Sequence, residues 1–123
     1  MKVMLVDDSR TMRNIQKSAL AEIGYTNIVE ACDGQDALSR VKAEMPELIL
    51  LDWNMPNMDG LTFLKAFRTE NKSTLVIMVT TEAEKSRVVE AIKAGVNNYL
   101  VKPFTPDQLN QRISETVSRR KAG

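Results

Sequence analysis

The sequence predicts a doubly wound α/β domain in which five parallel strands alternate with five helices. Short apolar runs alternate with amphipathic stretches along all 123 residues. The apolar runs are mostly continuous, as is typical of parallel strands that helices cover on both faces. Parallel strands need crossover connections, and these are right-handed, so the pattern specifies a single α/β sheet with helices around it.

Five apolar runs are predicted as strands because Val, Ile, Leu and Met dominate them. They cover residues 3–7, 27–31, 48–52, 75–80 and 98–101. In sheets of this class, functional side chains collect at the carboxyl ends of the strands, near the switch in strand order. The ends of these five runs are therefore where a functional site is expected.

The stretches between the strands show the spacing of amphipathic helices, which we expect to cover the sheet. The last helix has the clearest start, with Thr105 as N-cap and Pro106 at its first position, and it is predicted to pack against the sheet edge. The predicted apolar stripes are Met12, Ile15, Ala19, Leu20 and Ile23, ended by Gly24; Val88, Val89, Ile92 and Val96, around Gly95; and Leu109, Ile113 and Val117.

Composition and length indicate one globular domain. Apolar residues make up 43% and charged residues 27% of the chain, which is the usual balance for a protein that folds in water. With 123 residues there is room for one hydrophobic core. We therefore expect a single domain over residues 1–123, without an output domain, and a monomer.

Charge and cysteine content exclude several classes of function. The net charge is +1 and the basic residues are scattered, apart from a short cluster near the end of the chain, so no nucleic-acid partner is expected. The chain starts with a strand rather than an apolar leader, and it has one cysteine, Cys32, so we expect a cytoplasmic protein without a membrane partner. With no histidine, hard cations bound by oxygen are the plausible metals.

Polar residues of different kinds stand at the strand ends. Asp7 and Asp8 end the first strand, Asp52 the third, Thr80 the fourth and Lys102 the fifth. Aspartate is unfavourable in strands, so packing does not explain this placement. Three neighbouring carboxylates repel one another unless a cation or protons are taken up, and Mg²⁺ suits carboxylates combined with water and phosphate oxygens.

Each of these residues also has a structural explanation when considered alone. Asp7 and Asp8 could cap the following helix, and Asp52 could be a loop residue. Lys102 and Pro103 could form a rigid turn that could include a cis peptide bond, and Thr80 could simply end a strand. Together, however, they supply a nucleophile, a divalent cation site, a lysine and a hydroxyl, which suits phosphoryl transfer to Asp52 on the central strand.

Four segments, VDDSRTMR, LLDWNMPNMDG, VTTEAEKSRV and NYLVKPFTP, resemble the response-regulator receiver family, and in particular its single-domain chemotaxis members. The likeness runs along the whole chain, and the segments occur in the family's order. This resemblance implies a flavodoxin-like sheet with strand order 2-1-3-4-5. It also implies that a histidine kinase of the chemotaxis type, or a small phosphodonor, phosphorylates Asp52.

The resemblance implies the remaining members of the reaction centre. Asp7, Asp8 and Asp52 would bind Mg²⁺ together with the main-chain carbonyl of Asn54. The phosphoryl oxygens would be met by Lys102, by the Thr80 hydroxyl and by main-chain N–H groups near Trp53 and Thr81. No other cofactor is expected.

The resemblance further implies a switch and a set of partners. Thr80 would move toward the phosphoryl group and draw Tyr99 inward, which would change the surface of the fourth helix, fifth strand and fifth helix. Asn54 and Glu82 flank the approach of the attacking water and would set the phosphate lifetime. The expected partners are the kinase, a flagellar motor switch protein and, as a third candidate, a phosphatase.

Two alternatives stay open at this stage. The chain could be a phosphorelay intermediate or a phosphate sink with the same chemistry. It could also be a haloacid-type phosphatase, but Trp53 and Asn54 follow Asp52 where such an enzyme needs a general acid, and no insertion can form a cap. We therefore expect no conventional enzyme, but a protein that catalyses its own phosphorylation and dephosphorylation.

Overall fold

A computed structural model describes residues 1–122 of the chain and contains one five-stranded parallel sheet with the strand order β2-β1-β3-β4-β5. Within these residues, no helix has both the length and the apolar character that a membrane span requires. The strands are β1 (Val3–Val6), β2 (Ile28–Ala31), β3 (Leu48–Leu51), β4 (Leu75–Thr80) and β5 (Asn98–Val101). The helices are α1 (Arg10–Glu22), α2 (Gly34–Glu44), α3 (Gly60–Arg68), α4 (Lys85–Ala94) and α5 (Pro106–Ala122).

The fold class and the strand order are as predicted, and the strand bounds differ from the prediction by one residue at most. β4 and β5 have the predicted bounds, whereas Asp7, Asn27 and Asp52 lie just outside their strands. The main-chain N–H groups of Asp7 and Asp52 still donate to the neighbouring strands, over 3.2 Å to Ala31 and 2.9 Å to Val6. Both aspartates therefore start loops at positions that the sheet fixes.

The sheet separates two hydrophobic cores. α2, α3 and α4 cover one face, where Val41, Phe63 and Ala91 belong to the first core. α1 and α5 cover the other face, where Leu20 and Leu109 belong to the second. All residues of β1, β3 and β4 are buried, as expected for strands covered on both sides.

Two of the predicted apolar stripes are partly wrong. Ile15 in α1 is 50% exposed, and in α4 Val89 and Ile92 are exposed, the latter by 60%. The side of α4 that packs against the core includes Ala91, which is fully buried, and Ala94. Neighbouring helical positions differ by about 100°, so α4 is rotated away from its largest apolar side chains and uses small ones for close packing.

The helix ends follow the predicted signals. Gly24 and Gly95 both have positive φ angles, 97° and 106°, which glycine adopts without steric cost where a helix ends. At the start of α5, the Thr105 hydroxyl accepts the Gln108 N–H over 3.1 Å, and the Gln108 side chain accepts the Thr105 N–H over 2.9 Å. This reciprocal cap fixes the start of α5 at Pro106, as predicted.

Gln16 is a buried polar residue in α1, and its side-chain oxygen has no hydrogen-bond partner among residues 1–122. Burying an unsatisfied polar group is unfavourable, while methionine has a similar shape and no such requirement. We therefore expect Gln16→Met to raise the free energy of unfolding by about 1 kcal/mol, measured by urea denaturation. The exposed Gln35→Met is the control, and a Gln16→Met protein less stable than the wild type would contradict this expectation.

Candidate functional site

Three carboxylates meet at the carboxyl edge of the sheet. Val6 and Leu51 are register partners at the ends of β1 and β3, so Asp7 and Asp52 leave adjacent strands side by side. Asp7, Asp8 and Asp52 each offer an oxygen, and these oxygens lie within 4.8 Å of one another. Asp7 is only 1% exposed and Asp52 is buried, whereas Asp8 is open to solvent. The structure thus brings together the three aspartates that the strand ends indicated.

Lys102 enters the same cluster from the end of β5. Its Nζ atom lies 2.8 Å from Asp7 Oδ2 and 3.3 Å from Asp52 Oδ2, and its side chain is 7% exposed. The Lys102–Pro103 peptide bond is cis. One ammonium group faces three carboxylates, so the cluster keeps a surplus of negative charge when all are ionised. A divalent cation bound by oxygen suits this set of groups.

The environment of Asp52 opposes its ionisation. Burial raises the pKa of the Asp52 carboxyl group above its ordinary value, and the nearby charge of Asp7 raises it further. Lys102, the Trp53 main-chain N–H and the Thr80 hydroxyl lower the pKa but do not cancel the effect of burial. The Trp53 N–H donates to Asp52 Oδ1 over 2.7 Å. Extra positive charge at this site would therefore stabilise the ionised form of Asp52.

The structure excludes the alternative in which Asp7 and Asp8 cap the first helix. Ser9 is the N-cap of α1, and its hydroxyl accepts the Met12 N–H over 3.2 Å. Asp7 instead accepts the Ser9 N–H over 2.8 Å through Oδ1, while its other oxygen contacts Lys102. Asp8 is thus free of a capping role, and Asp7 is oriented by the start of α1 and by Lys102 together.

Thr80 and Tyr99 both lie near the short loop between β4 and α4. Thr80 is completely buried at the end of β4, where its hydroxyl accepts the Glu82 N–H over 3.4 Å. The Tyr99 hydroxyl donates to the Glu82 main-chain carbonyl over 2.6 Å. Burial raises the Tyr99 pKa, and the charge of Glu82 adds to the shift, so the hydroxyl remains a donor. Both predicted switch residues therefore contact Glu82.

Asn54 connects the Asp52 side of the site to the same loop. Its side-chain amide donates to the Glu82 carboxylate over 3.1 Å. Asn54 is exposed and Glu82 half-buried, and their hydrogen bond bridges the loop after β3 and the loop after β4. The structure thus joins Asn54 and Glu82, which the sequence placed 28 positions apart.

Arg87 was not among the predicted site residues, although it extends the site toward α4. Its guanidinium carbon lies 5.2 Å from the centre of the buried Trp53 ring. A basic residue on a helix surface is usually a solvated charge, so no sequence signal marked it. The contact links the first turn of α4 to the residue that follows Asp52.

We expect Arg87→Gln to lower the free energy of unfolding by about 0.5 kcal/mol, because exposed cation–π contacts contribute in this range. It should also change the emission of Trp53, the only tryptophan in the chain. Urea denaturation and fluorescence spectra measure the two effects, with Lys85→Gln, in the same helical turn, as the control. Identical Trp53 emission in the wild type and in Arg87→Gln would show that the contact is absent in solution.

Comparison with known proteins places this site in a family context. Residues 3–114 match the response regulator receiver domain. The chain is 47% identical over 116 residues to chemotaxis protein CheY1 of Helicobacter pylori, covering 92% of this chain and 94% of that protein. It is 43% identical over 121 residues to chemotaxis protein CheY of Pseudomonas aeruginosa, covering 97% and 98%. The crystallised chemotaxis protein CheY4 of Vibrio cholerae superposes with a TM-score of 0.85 at 34% identity, covering 94% and 97%.

Proposed function

Because the chain belongs to the response regulator receiver domain family, we propose that it is a signalling switch that accepts a phosphoryl group on Asp52. The single observation that carries this proposal is the cluster of Asp7, Asp8, Asp52 and Lys102 at the sheet edge. A carboxylate, a lysine and an acidic cation site are the groups that phosphoryl transfer to an aspartate requires. The likeness to chemotaxis proteins supports a role in chemotaxis signalling.

The proposed cofactor is Mg²⁺, and the donor set fits it. Asp7, Asp8 and Asp52 would provide carboxylate oxygens. The family resemblance assigns one more oxygen ligand, the main-chain carbonyl of Asn54. When bound, Mg²⁺ supplies positive charge that offsets the developing charge on the transferred phosphoryl group. The raised pKa of Asp52 means that protons compete with the cation as the pH falls, so Mg²⁺ affinity should decrease toward acidic pH.

The residues of the chain would then carry the transfer itself. A carboxylate oxygen of Asp52 forms a bond to phosphorus while the P–N bond of the donor phosphohistidine breaks, and the released imidazole nitrogen takes up a proton. Lys102 neutralises phosphoryl oxygens from its position beside Asp52. The hydroxyl of Thr80 and the N–H of Trp53 are further donors next to the same carboxylate. Catalysis is thus positioning and charge neutralisation.

Loss of the phosphoryl group is the second proposed reaction. Water attacks phosphorus and loses a proton to the solvent, and the bond between phosphorus and the Asp52 oxygen breaks, which releases inorganic phosphate and the Asp52 carboxylate. Asn54 and Glu82, held together by their hydrogen bond, would orient this water. The protein would in this way catalyse its own dephosphorylation and produce a transient signal.

The proposed output is a change of partner-binding surface. Phosphorylation replaces the single negative charge of the Asp52 carboxylate with a phosphoryl group that carries about two, and this favours states that bring the Thr80 hydroxyl closer. Tyr99 would respond to this change, since both Thr80 and Tyr99 form hydrogen bonds with the main chain of Glu82. The exposed Ile92 on α4 and Val101 on β5 give this side apolar groups for a partner. We propose a chemotaxis-type histidine kinase as donor and a flagellar motor switch protein as target, both in the cytoplasm.

Titration of the wild-type protein tests the proposal, with Trp53 fluorescence as the signal. We expect a saturable change on adding Mg²⁺ and a second change on adding a small acyl phosphate. The second change should reverse after the donor is removed, and simple phosphate esters should not be hydrolysed catalytically. A lack of response to both additions would exclude the receiver reaction, whereas turnover of esters would favour a haloacid-type phosphatase. Binding of a motor-switch peptide to the phosphorylated form alone would separate the proposed output from a phosphate sink.

A further inference from the structure

The segment of residues 53–59, here called the phosphoacceptor loop, runs from Asp52 to the start of α3. Its base is tightly closed, because the Gly60 N–H donates to the Trp53 carbonyl over 2.8 Å. A Cβ atom on Gly60 would lie 2.0 Å from the main-chain oxygen of Asp52, so there is no space for a larger residue. The loop therefore begins and ends against the Asp52 backbone, with Asn54 near its start.

The outer half of the phosphoacceptor loop contacts the start of α2. The Asn57 side chain donates to Asp33 Oδ2 over 2.8 Å, and the Gly34 N–H donates to the Met58 carbonyl over 3.0 Å. Asp33 is only 6% exposed and is itself fixed, because its Oδ1 accepts the Asp36 N–H over 2.7 Å as the N-cap of α2. The Asp33 carboxylate thus caps α2 and also binds the phosphoacceptor loop through Asn57.

The conformation of Asn57 shows why this residue type suits the position. Its φ angle is 66°, in the left-handed region, which asparagine tolerates better than most residues. A tight turn surrounds it, since the Met58 N–H donates to the Pro56 carbonyl over 2.7 Å. On the other side, a Cβ atom on Gly34 would lie 2.7 Å from the Met58 carbonyl oxygen. The loop and the start of α2 therefore fit without spare space.

Asp33 is suited to hold this contact at neutral pH. The Asp36 N–H, followed by the Asn57 side chain, lowers the pKa of the Asp33 carboxyl group below its ordinary value. The carboxylate therefore stays ionised and accepts both hydrogen bonds. Hydrogen bonds to an ionised acceptor are the stronger class.

We propose that Asp33 and Asn57 are positioning residues whose hydrogen bond holds the phosphoacceptor loop in the shape that presents the Asn54 carbonyl to the cation site. Both the identity of the cation and the role of the Asn54 carbonyl as its ligand rest on the proposed function. A main-chain ligand has no rotamers of its own, so only the loop conformation can place it. Mg²⁺ requires nearly ideal octahedral geometry, and a loosened loop therefore weakens binding even when all the carboxylates are intact.

Two single variants remove the contact by different routes. Asn57→Gly keeps the left-handed backbone and deletes the side chain, without changing the charge of the protein. Asp33→Ser keeps an N-cap for α2 but is too short to reach Asn57. Met45→Gly is the matched control, because Met45 also has a positive φ angle, 47°, and lies outside the loop on an exposed helix end.

The first measurement is the affinity for Mg²⁺, with Trp53 fluorescence as the signal. We expect both variants to bind Mg²⁺ about tenfold more weakly than the wild type. Because the two substitutions remove the same contact, the double variant should lose no more Mg²⁺ affinity than the more affected single variant. Met45→Gly should bind as the wild type does. Affinities within twofold of the wild type in both variants would overturn the inference while leaving the proposed function intact.

The second measurement is amide hydrogen exchange without any divalent cation. We expect the Gly60 and Gly34 amides to exchange several times faster in both variants, while the amides of the central strands keep their protection. Unchanged exchange at both glycines would overturn the inference, independently of cation binding. A wild-type protein with no Mg²⁺ response would instead contradict the proposed function, and the exchange data would still decide whether Asp33 and Asn57 hold the loop.

Discussion

Replacing Asp52 with asparagine will abolish phosphoryl incorporation from a small acyl phosphate in the presence of Mg²⁺. The amide is a poor nucleophile and removes one of the carboxylates at the proposed cation site. Intact-protein mass spectrometry measures the gain of one phosphoryl group, which the wild type should show and Asp52→Asn should lack. Asp107→Asn, on the exposed first turn of α5, is the control and should behave as the wild type.

The same substitution has a predicted effect on stability without cations. Burial raises the Asp52 pKa, so the ionised carboxylate disfavours the folded state at neutral pH. Asp52→Asn should therefore raise the free energy of unfolding near pH 7, because Lys102 keeps Asp7 as its partner at 2.8 Å. This gain in stability should shrink as the pH falls through the raised pKa of Asp52, because the wild-type carboxyl group then becomes neutral as well.

In the mass-spectrometry experiment, full phosphoryl incorporation in Asp52→Asn would show that another residue is the acceptor.

Replacing Lys102 with methionine is expected to cause the second large effect, on stability. Lys102 contacts Asp7 over 2.8 Å and Asp52 over 3.3 Å, and all three side chains are largely buried. Removing the ammonium group leaves the carboxylates without their positive partner, so the free energy of unfolding should fall by about 3 kcal/mol. Urea denaturation in the presence of a chelator measures this loss.

Mg²⁺ should restore part of the stability lost in Lys102→Met. The cation would bind more tightly to this variant than to the wild type, because no ammonium group competes for the same carboxylates. At a concentration of about 100 times the dissociation constant, a ligand adds about 2.7 kcal/mol to the stability of the folded state. The exposed Lys93→Met is the control. If Lys102→Met were as stable as the wild type in chelator, the contacts with Asp7 and Asp52 would have no energetic role.

Much of this protein could be predicted from local sequence patterns. Continuous apolar runs identified all five strands, and their carboxyl ends identified the cluster of Asp7, Asp8, Asp52 and Lys102. Gly24, Gly95 and the Thr105 cap marked helix ends where the structure has them. These features depend on residues close in sequence or on the rule that parallel strands end at one edge, so no knowledge of packing was needed.

Other features depend on how the helices pack against the sheet. The rotation of α4 exposes Ile92 and places Arg87 over Trp53, and periodicity could not distinguish this rotation from one that buries the larger side chains. The contact between Asp33 and Asn57 joins two loops that are 24 positions apart. Such contacts are set by distances across the folded molecule, to within a few tenths of an ångström, and a sequence pattern carries no such distances. Residue types at strand ends thus indicate which chemistry is present, whereas side-chain packing determines which groups meet and how firmly they are held.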